Sequence, residues 1–165
     1  MSLPPVLLVE DSEDDIEFAR RALARCCVRH PLIIAEEGEE ALALLTGKTP
    51  SPLGLQPVWP CLILLDLNIP GMSGRELLWR IKTNPLTCTV PVAVLSTSTQ
   101  AADVEECYRA GANSYHRKPA DFRAYEETIR QITNYWLSAV IAPRPSGEIL
   151  HLNQPGGGWT TSCPA

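Results

Sequence analysis

Four side chains in this sequence sit where short apolar runs end and chemistry can begin, and a fifth follows a short mixed run. Glu10 and Asp11 close the run Val6 to Val9, Asp66 closes Leu62 to Leu65, Ser96 closes Val90 to Leu95, and Lys118 follows Ser114 to Arg117. If these runs are strands of one parallel sheet, all five groups emerge at the same edge, where open α/β sheets place their ligand chemistry. Three carboxylates gathered there repel, and each raises its neighbours' pKa unless a cation sits among them. Hard oxygen donors of this kind suit Mg²⁺, which takes a few carboxylates and keeps several waters. Lys118 adds a fixed positive charge within reach of Asp66 or of an anion bound to it.

The elements needed to bring these groups together are legible. After Val9, Ser12 is a plausible N-cap, and Ile16, Ala19, Leu23 and Cys26 recur at helical spacing to about Arg29. Asp14 and Asp15 read as first-turn residues that complement the helix dipole, not as ligands. Leu32 to Ala35 leans towards strand, and Gly38 leads into EEALALL, a helix of strong formers that ends near Gly47. Thr46 to Pro60, with four prolines and two glycines, reads as a loop too short to separate domains. Leu62 to Leu65 is apolar on every side, as a strand covered by helices on both faces must be. Pro70, Gly71 and Gly74 then hold a loop, so Asp66 faces a crevice.

Arg75 to Thr83 is helical and is stopped by Asn84-Pro85. Ala101 to Ala110 is a fourth helix, closed by Gly111. Beyond Lys118-Pro119, Phe122, Tyr125, Ile129, Ile132 and Trp136 repeat at helical spacing in a long fifth helix. Five alternations of strand and helix predict an α/β fold, a doubly wound five-stranded parallel sheet with five helices. The expected division is residues 1–141 as one domain and 142–165 as a C-terminal extension, flexible or docked on a partner. That extension is rich in Pro and Gly and carries Ile149, Leu150 and Trp159 as its few large apolar groups.

Composition removes several functions. With 165 residues, 45% apolar content and a net charge of -5, the chain has enough apolar material for a core and no general affinity for nucleic acid or an anionic membrane. The opening MSLPPVLLVED lacks a positive n-region and its apolar run stops at two acids, Glu10 and Asp11, so it reads as neither signal peptide nor membrane span, and a cytoplasmic location is expected. Six cysteines without CxxC spacing read as reduced thiols, and His30, His116 and His151 as scattered structural or surface groups.

Together, Glu10-Asp11, the block Asp66-Leu67-Asn68-Ile69-Pro70-Gly71-Met72-Ser73-Gly74, Ser96 and Lys118-Pro119 resemble the receiver domain of bacterial response regulators over roughly Leu3 to Ala139. The resemblance implies a flavodoxin-like strand order of 2-1-3-4-5. It also implies that Asp66 accepts a phosphoryl group from a sensor histidine kinase, the chain being a phosphoacceptor with self-phosphorylating and autodephosphorylating chemistry and not otherwise an enzyme. Mg²⁺ would be held by Glu10, Asp11, Asp66 and the backbone carbonyl of Asn68. Lys118 would pair with one phosphoryl oxygen and the Ser96 hydroxyl with another. Tyr115 falls where the family places an aromatic that swings inward as the hydroxyl moves, so Ser96 and Tyr115 form the expected switch. Glu10 stands where many relatives have Asp, and Ser96 where Thr is commoner, and neither change removes a needed atom.

LLVEDSEDDIEFARRAL, LILLDLNIPGMSGRELL, VLSTST and NYWLSAVIAPR further resemble the single-domain response regulators associated with bacterial and cyanobacterial phytochromes. That implies a phytochrome as the candidate kinase and a homodimer. Trp136, Leu137, Val140 and Ile141 extend the last helix with apolar residues and are the expected dimer surface, although they could instead cover the domain's own core. No DNA-binding or catalytic output domain is expected in the short stretch after this helix, so output would pass through protein contacts or phosphate relay.

Three rival functions each meet a residue pattern that disfavours them. A haloacid-dehalogenase-type phosphatase needs a second Asp two residues after the nucleophile, where this chain has Asn68. A flavodoxin-like FMN module needs a phosphate-binding loop after the first strand, where Glu10, Asp11, Glu13 and Asp14 would repel it. A receiver-like dimeric interaction module without phosphate turnover would be expected to lack a site member, and none is missing.

Overall fold

The computed structural model describes residues 3–141. The expected extension, with Ile149, Leu150 and Trp159, lies outside the described residues. In chain order the elements are β1 (Val6–Val9), α1 (Glu13–Arg25), β2 (Leu32–Ala35), α2 (Gly38–Leu45), β3 (Leu62–Asp66), α3 (Gly74–Thr83), β4 (Val92–Ser96), α4 (Ala101–Arg109), β5 (Ser114–Arg117) and α5 (Phe122–Thr133). The strands form one parallel sheet in the order β2-β1-β3-β4-β5, as the resemblance implied.

Alternation along each strand divides the core. Leu7, Val9, Ile63, Leu65, Val92 and Val94 face α2 and α3 through Ala41, Leu44, Leu45, Leu77, Leu78 and Ile81. Val6, Leu8, Leu62, Leu64, Ala93 and Leu95 face α1 and α5 through Ile16, Ala19, Leu23, Tyr125, Ile129 and Ile132. Both faces of β1, β3 and β4 are dry, so those runs show no polar alternation. All strand carboxyl ends lie along one edge, and the loops that leave it carry the site.

Several boundaries differ from the sequence reading. α1 ends at Arg25, not near Arg29. The Cys27 amide donates to Ala24 O (3.1 Å) and the Val28 amide to Leu23 O (3.1 Å), with Cys27 at φ 56°. This is a Schellman close with cysteine in the left-handed position that glycine usually takes, and so no glycine announced it. β4 starts at Val92, because Pro91 has no N–H to give to a ladder. The α-helix of α5 gives way at Asn134 to a π-helical segment, Asn134–Ala139, and Val140 is extended.

Candidate functional site

Glu10 follows β1 directly, and its amide still donates to Ala35 O of β2 (3.0 Å), so its position is fixed by the sheet. Asp66 is the last residue of β3. The Asn68 amide turns back to donate to Asp66 Oδ1 (2.9 Å), which fixes the carboxylate's orientation. Leu67, Ile69 and Met72 are buried, anchoring the loop after Asp66 in the core. Lys118 lies just past β5, where its amide donates to Ser96 O (2.8 Å) and extends the pairing with β4.

Gly74 makes the close packing of this loop possible. A Cβ there would stand 2.4 Å from Asp66 O and 2.5 Å from Leu67 Cα, both backbone atoms that cannot swing aside. Gly74→Ala is therefore expected to cost about 2 kcal/mol in urea unfolding through overpacking, with the displacement falling on Asp66.

The charged groups converge on one nitrogen. Lys118 Nζ donates to Glu10 Oε2 (2.5 Å), Asp66 Oδ2 (2.6 Å) and Asp15 Oδ2 (2.7 Å), so its three N–H groups meet three carboxylates. The side chains of Lys118, Glu10 and Asp66 are 5%, 3% and 9% exposed, while Asp15 is 32% exposed. Burial works against the Lys118 charge. The hydrogen bonds to Asp15, Asp66 and Glu10 outweigh it and hold the ammonium protonated well above the ordinary lysine range. Burial likewise pushes the Glu10 carboxyl up to about 7, with the Asp66 charge adding and Lys118 opposing. The Tyr125 hydroxyl is buried without a hydrogen-bond partner among the described residues. Burial first, then the nearby carboxylates, raise its pKa, so it stays a neutral O–H.

Glu10 gives stability a predictable pH dependence. Its native pKa lies above the ordinary 4.5, so between pH 4.5 and about 7 the native state holds a proton that the unfolded chain releases. Stability of the cation-free protein should fall as pH rises through that window. Urea unfolding at pH 5 and pH 7 should show a smaller loss for Glu10→Gln than for wild type, since other titrations are common to both.

Of the residues singled out in the sequence, Glu10, Asp66 and Lys118 are brought together. Asp11 is not: its side chain is exposed, one step beyond Glu10 where the chain turns into α1. Asp15 joins them instead, correcting its assignment as a helix-dipole residue alone. Its signal was available, because Asp15 falls on the same stripe of α1 as buried Ala19 and Ala22. A carboxylate on an inward stripe needs a buried partner. Ser96 is buried, and its Oγ accepts from the Ser98 amide (3.2 Å). Tyr115 packs against the core, and its hydroxyl donates to Ser98 O (2.9 Å), so both expected switch residues bear on the loop after β4. Ser98 Oγ in turn donates to Asp103 of α4 (2.5 Å), which accepts from Arg75 of α3 (2.6 Å). Trp136 and Leu137 pack partly buried on the α1–α5 side of the core, the role weighed against dimerisation. Ile141 is fully exposed.

Carboxylate oxygens of Glu10, Asp15 and Asp66 all lie within 4.8 Å of one another. These are hard donors, and three carboxylates against one ammonium leave an excess negative charge that a divalent cation would balance.

Comparison with known proteins decides the family. Residues 6–130 match the model of the response regulator receiver domain. The chain belongs to that family. Receiver-domain relatives include Response regulator Rcp1 of Synechocystis sp., 37% identical over 144 residues covering 86% of this chain and 96% of that protein. Among solved structures, the phosphorylated cyanobacterial phytochrome response regulator RcpA superposes with a TM-score of 0.79 at 35% identity, covering 87% of this chain and all of that one. The Mn²⁺-bound form of Rcp1 gives 0.77 at 35% identity, covering 86% and 100%. The five-stranded order, the helices and the phytochrome-regulator likeness expected of this receiver domain are thus present. Among the described residues no helix is long and apolar enough to cross a membrane.

Proposed function

We propose that this chain is a cytoplasmic phosphoacceptor in which Asp66 takes a phosphoryl group from a sensor histidine kinase, a phytochrome being the candidate partner. The observation that carries the reading is a single carboxylate at the sheet edge, oriented by the Asn68 amide and paired with Lys118 beside a second buried carboxylate, Glu10. Similarity to a regulator solved in phosphorylated form supports it.

An Asp66 oxygen attacks phosphorus. A new O–P bond forms as the P–N bond of the donor phosphohistidine breaks, and the electron pair leaves on the imidazole nitrogen. Lys118 neutralises charge on a phosphoryl oxygen, and the Ser96 hydroxyl donates to another. Glu10, Asp66 and the Asn68 carbonyl would hold Mg²⁺, and Asp11, exposed next to Glu10, would be a further ligand. When bound, Mg²⁺ masks the negative charge on phosphate and carboxylate. The chain is proposed to have no enzymatic activity beyond gaining and losing its own phosphate. Ser96 and Tyr115 then report the phosphoryl group to the loop after β4, from which Ser98 and Asp103 lead into α4.

The test is a phosphotransfer profile against the sensor kinases of the source organism. One kinase labelling this chain much faster than the rest supports the reading, and labelling by none sinks it.

Homodimerisation is the second part of the proposal. Tyr135 is 56% exposed and Ile141 100% exposed in the stretch that follows α5, where Trp136, Leu137 and Val140 supply apolar neighbours. Sedimentation at micromolar concentration should give twice the chain mass, and Ile141→Asp with Tyr135→Asp should return the mass of one chain.

A further inference from the structure

We propose that Asp15 is a positioning residue, a releasable tether that holds the Lys118 ammonium in the unphosphorylated protein and gives it up to the phosphoryl anion. The proposal rests on Asp66 being the phosphoacceptor. Lys118 has three N–H groups, and each already has a carboxylate acceptor. A phosphoryl oxygen can gain this ammonium only as an existing partner lets go or shares it. Asp66 remains attached to the arriving group. Glu10 is 3% exposed, so water cannot reach its carboxylate to take the place of the ammonium.

Asp15 differs from both. Its carboxylate is about one-third exposed, so water can replace Lys118 with little desolvation cost. It also sits on another element, in the first turn of α1, and its backbone stays fixed because its amide donates to the N-cap Ser12 Oγ (3.4 Å). Release therefore needs only a side-chain rotation. The cost of that release is carried by the phosphorylated state, and removing the tether should favour phosphorylation.

The experiment uses the full chain with acetyl phosphate at saturating Mg²⁺. Asp15→Asn should speed phosphate uptake on Asp66 by about three- to tenfold, the scale of a partly exposed charge-assisted hydrogen bond. Asp15→Glu should return the rate towards wild type. In a Lys118→Met background the Asp15→Asn change should have no effect on the residual rate, because the two residues act through one contact. In Mg²⁺-free protein, NMR should show the Lys118 ammonium protons exchanging with water faster in Asp15→Asn than in wild type.

A purely structural role for Asp15 in α1 would give the same rate change in both backgrounds, which overturns the tether. A raised Mg²⁺ requirement with an unchanged saturated rate also overturns it, assigning Asp15 to the cation instead. Wild type that takes up no phosphate removes the phosphoacceptor reading and this inference together, whereas normal wild-type uptake with no effect of Asp15→Asn removes the inference alone.

Discussion

Asp66→Asn should lower phosphate uptake from acetyl phosphate by at least about 10³-fold while leaving the protein folded, since an uncharged amide oxygen is too weak a nucleophile to replace the carboxylate. The change keeps the side chain's shape and an oxygen for the Asn68 amide, which now meets Asp66 Oδ1 at 2.9 Å. Glu10 cannot take over, because its carboxylate is buried against Lys118 and the Ser12 amide. Removing one of three like charges also relieves repulsion around the ammonium. Urea unfolding of Asp66→Asn should therefore show equal or greater stability, which separates loss of the nucleophile from loss of the fold. Intact mass after incubation reads the first result directly.

Lys118→Met should have the second large effect. Methionine keeps much of the apolar stem but removes the cation shared by Glu10, Asp15 and Asp66. Breaking a buried ion pair from one side costs about 3–5 kcal/mol, because the remaining charge is stranded in a poorly solvated place. Partial exposure of Asp15 argues for the lower end, so about 3 kcal/mol at neutral pH without divalent cation is expected from urea unfolding. The loss should shrink at pH 5, where Glu10 carries a proton, and on adding Mg²⁺. A variant as stable as wild type at neutral pH without Mg²⁺ would mean that Lys118 does not balance the carboxylates.

The parts of this architecture set by apolar periodicity could be read in advance. β1 and β2 begin and end where their apolar runs and breakers place them, β5 ends just before Lys118-Pro119, and Asp66 ends β3 ahead of the loop that carries Pro70 and Gly71. What escaped depends on contacts between elements. The close of α1 relies on Cys27 in a conformation that its type rarely adopts. The direction of Asp11 is undetermined by alternation, since it stands after the last paired residue of β1. A place in the first turn suits Asp15 as a dipole residue and as a partner of Lys118 alike, and only the placement of α1 against Lys118 distinguishes the two. At the end of α5, Trp136 and Leu137 looked like surplus apolar surface. Both lie in the π-helical segment and pack partly against the core, and Ile141 is the fully exposed member.

Asp66 is the group proposed to become phosphorylated. Borohydride reduces an acyl phosphate and leaves homoserine at the modified aspartate, so trapping after acetyl phosphate and Mg²⁺, followed by peptide mass mapping, reads the position itself. Reduction at residue 66 and nowhere else is the predicted result. A trapped product at Glu10, Asp11 or Asp15, or phosphate uptake with residue 66 unmodified, would contradict it.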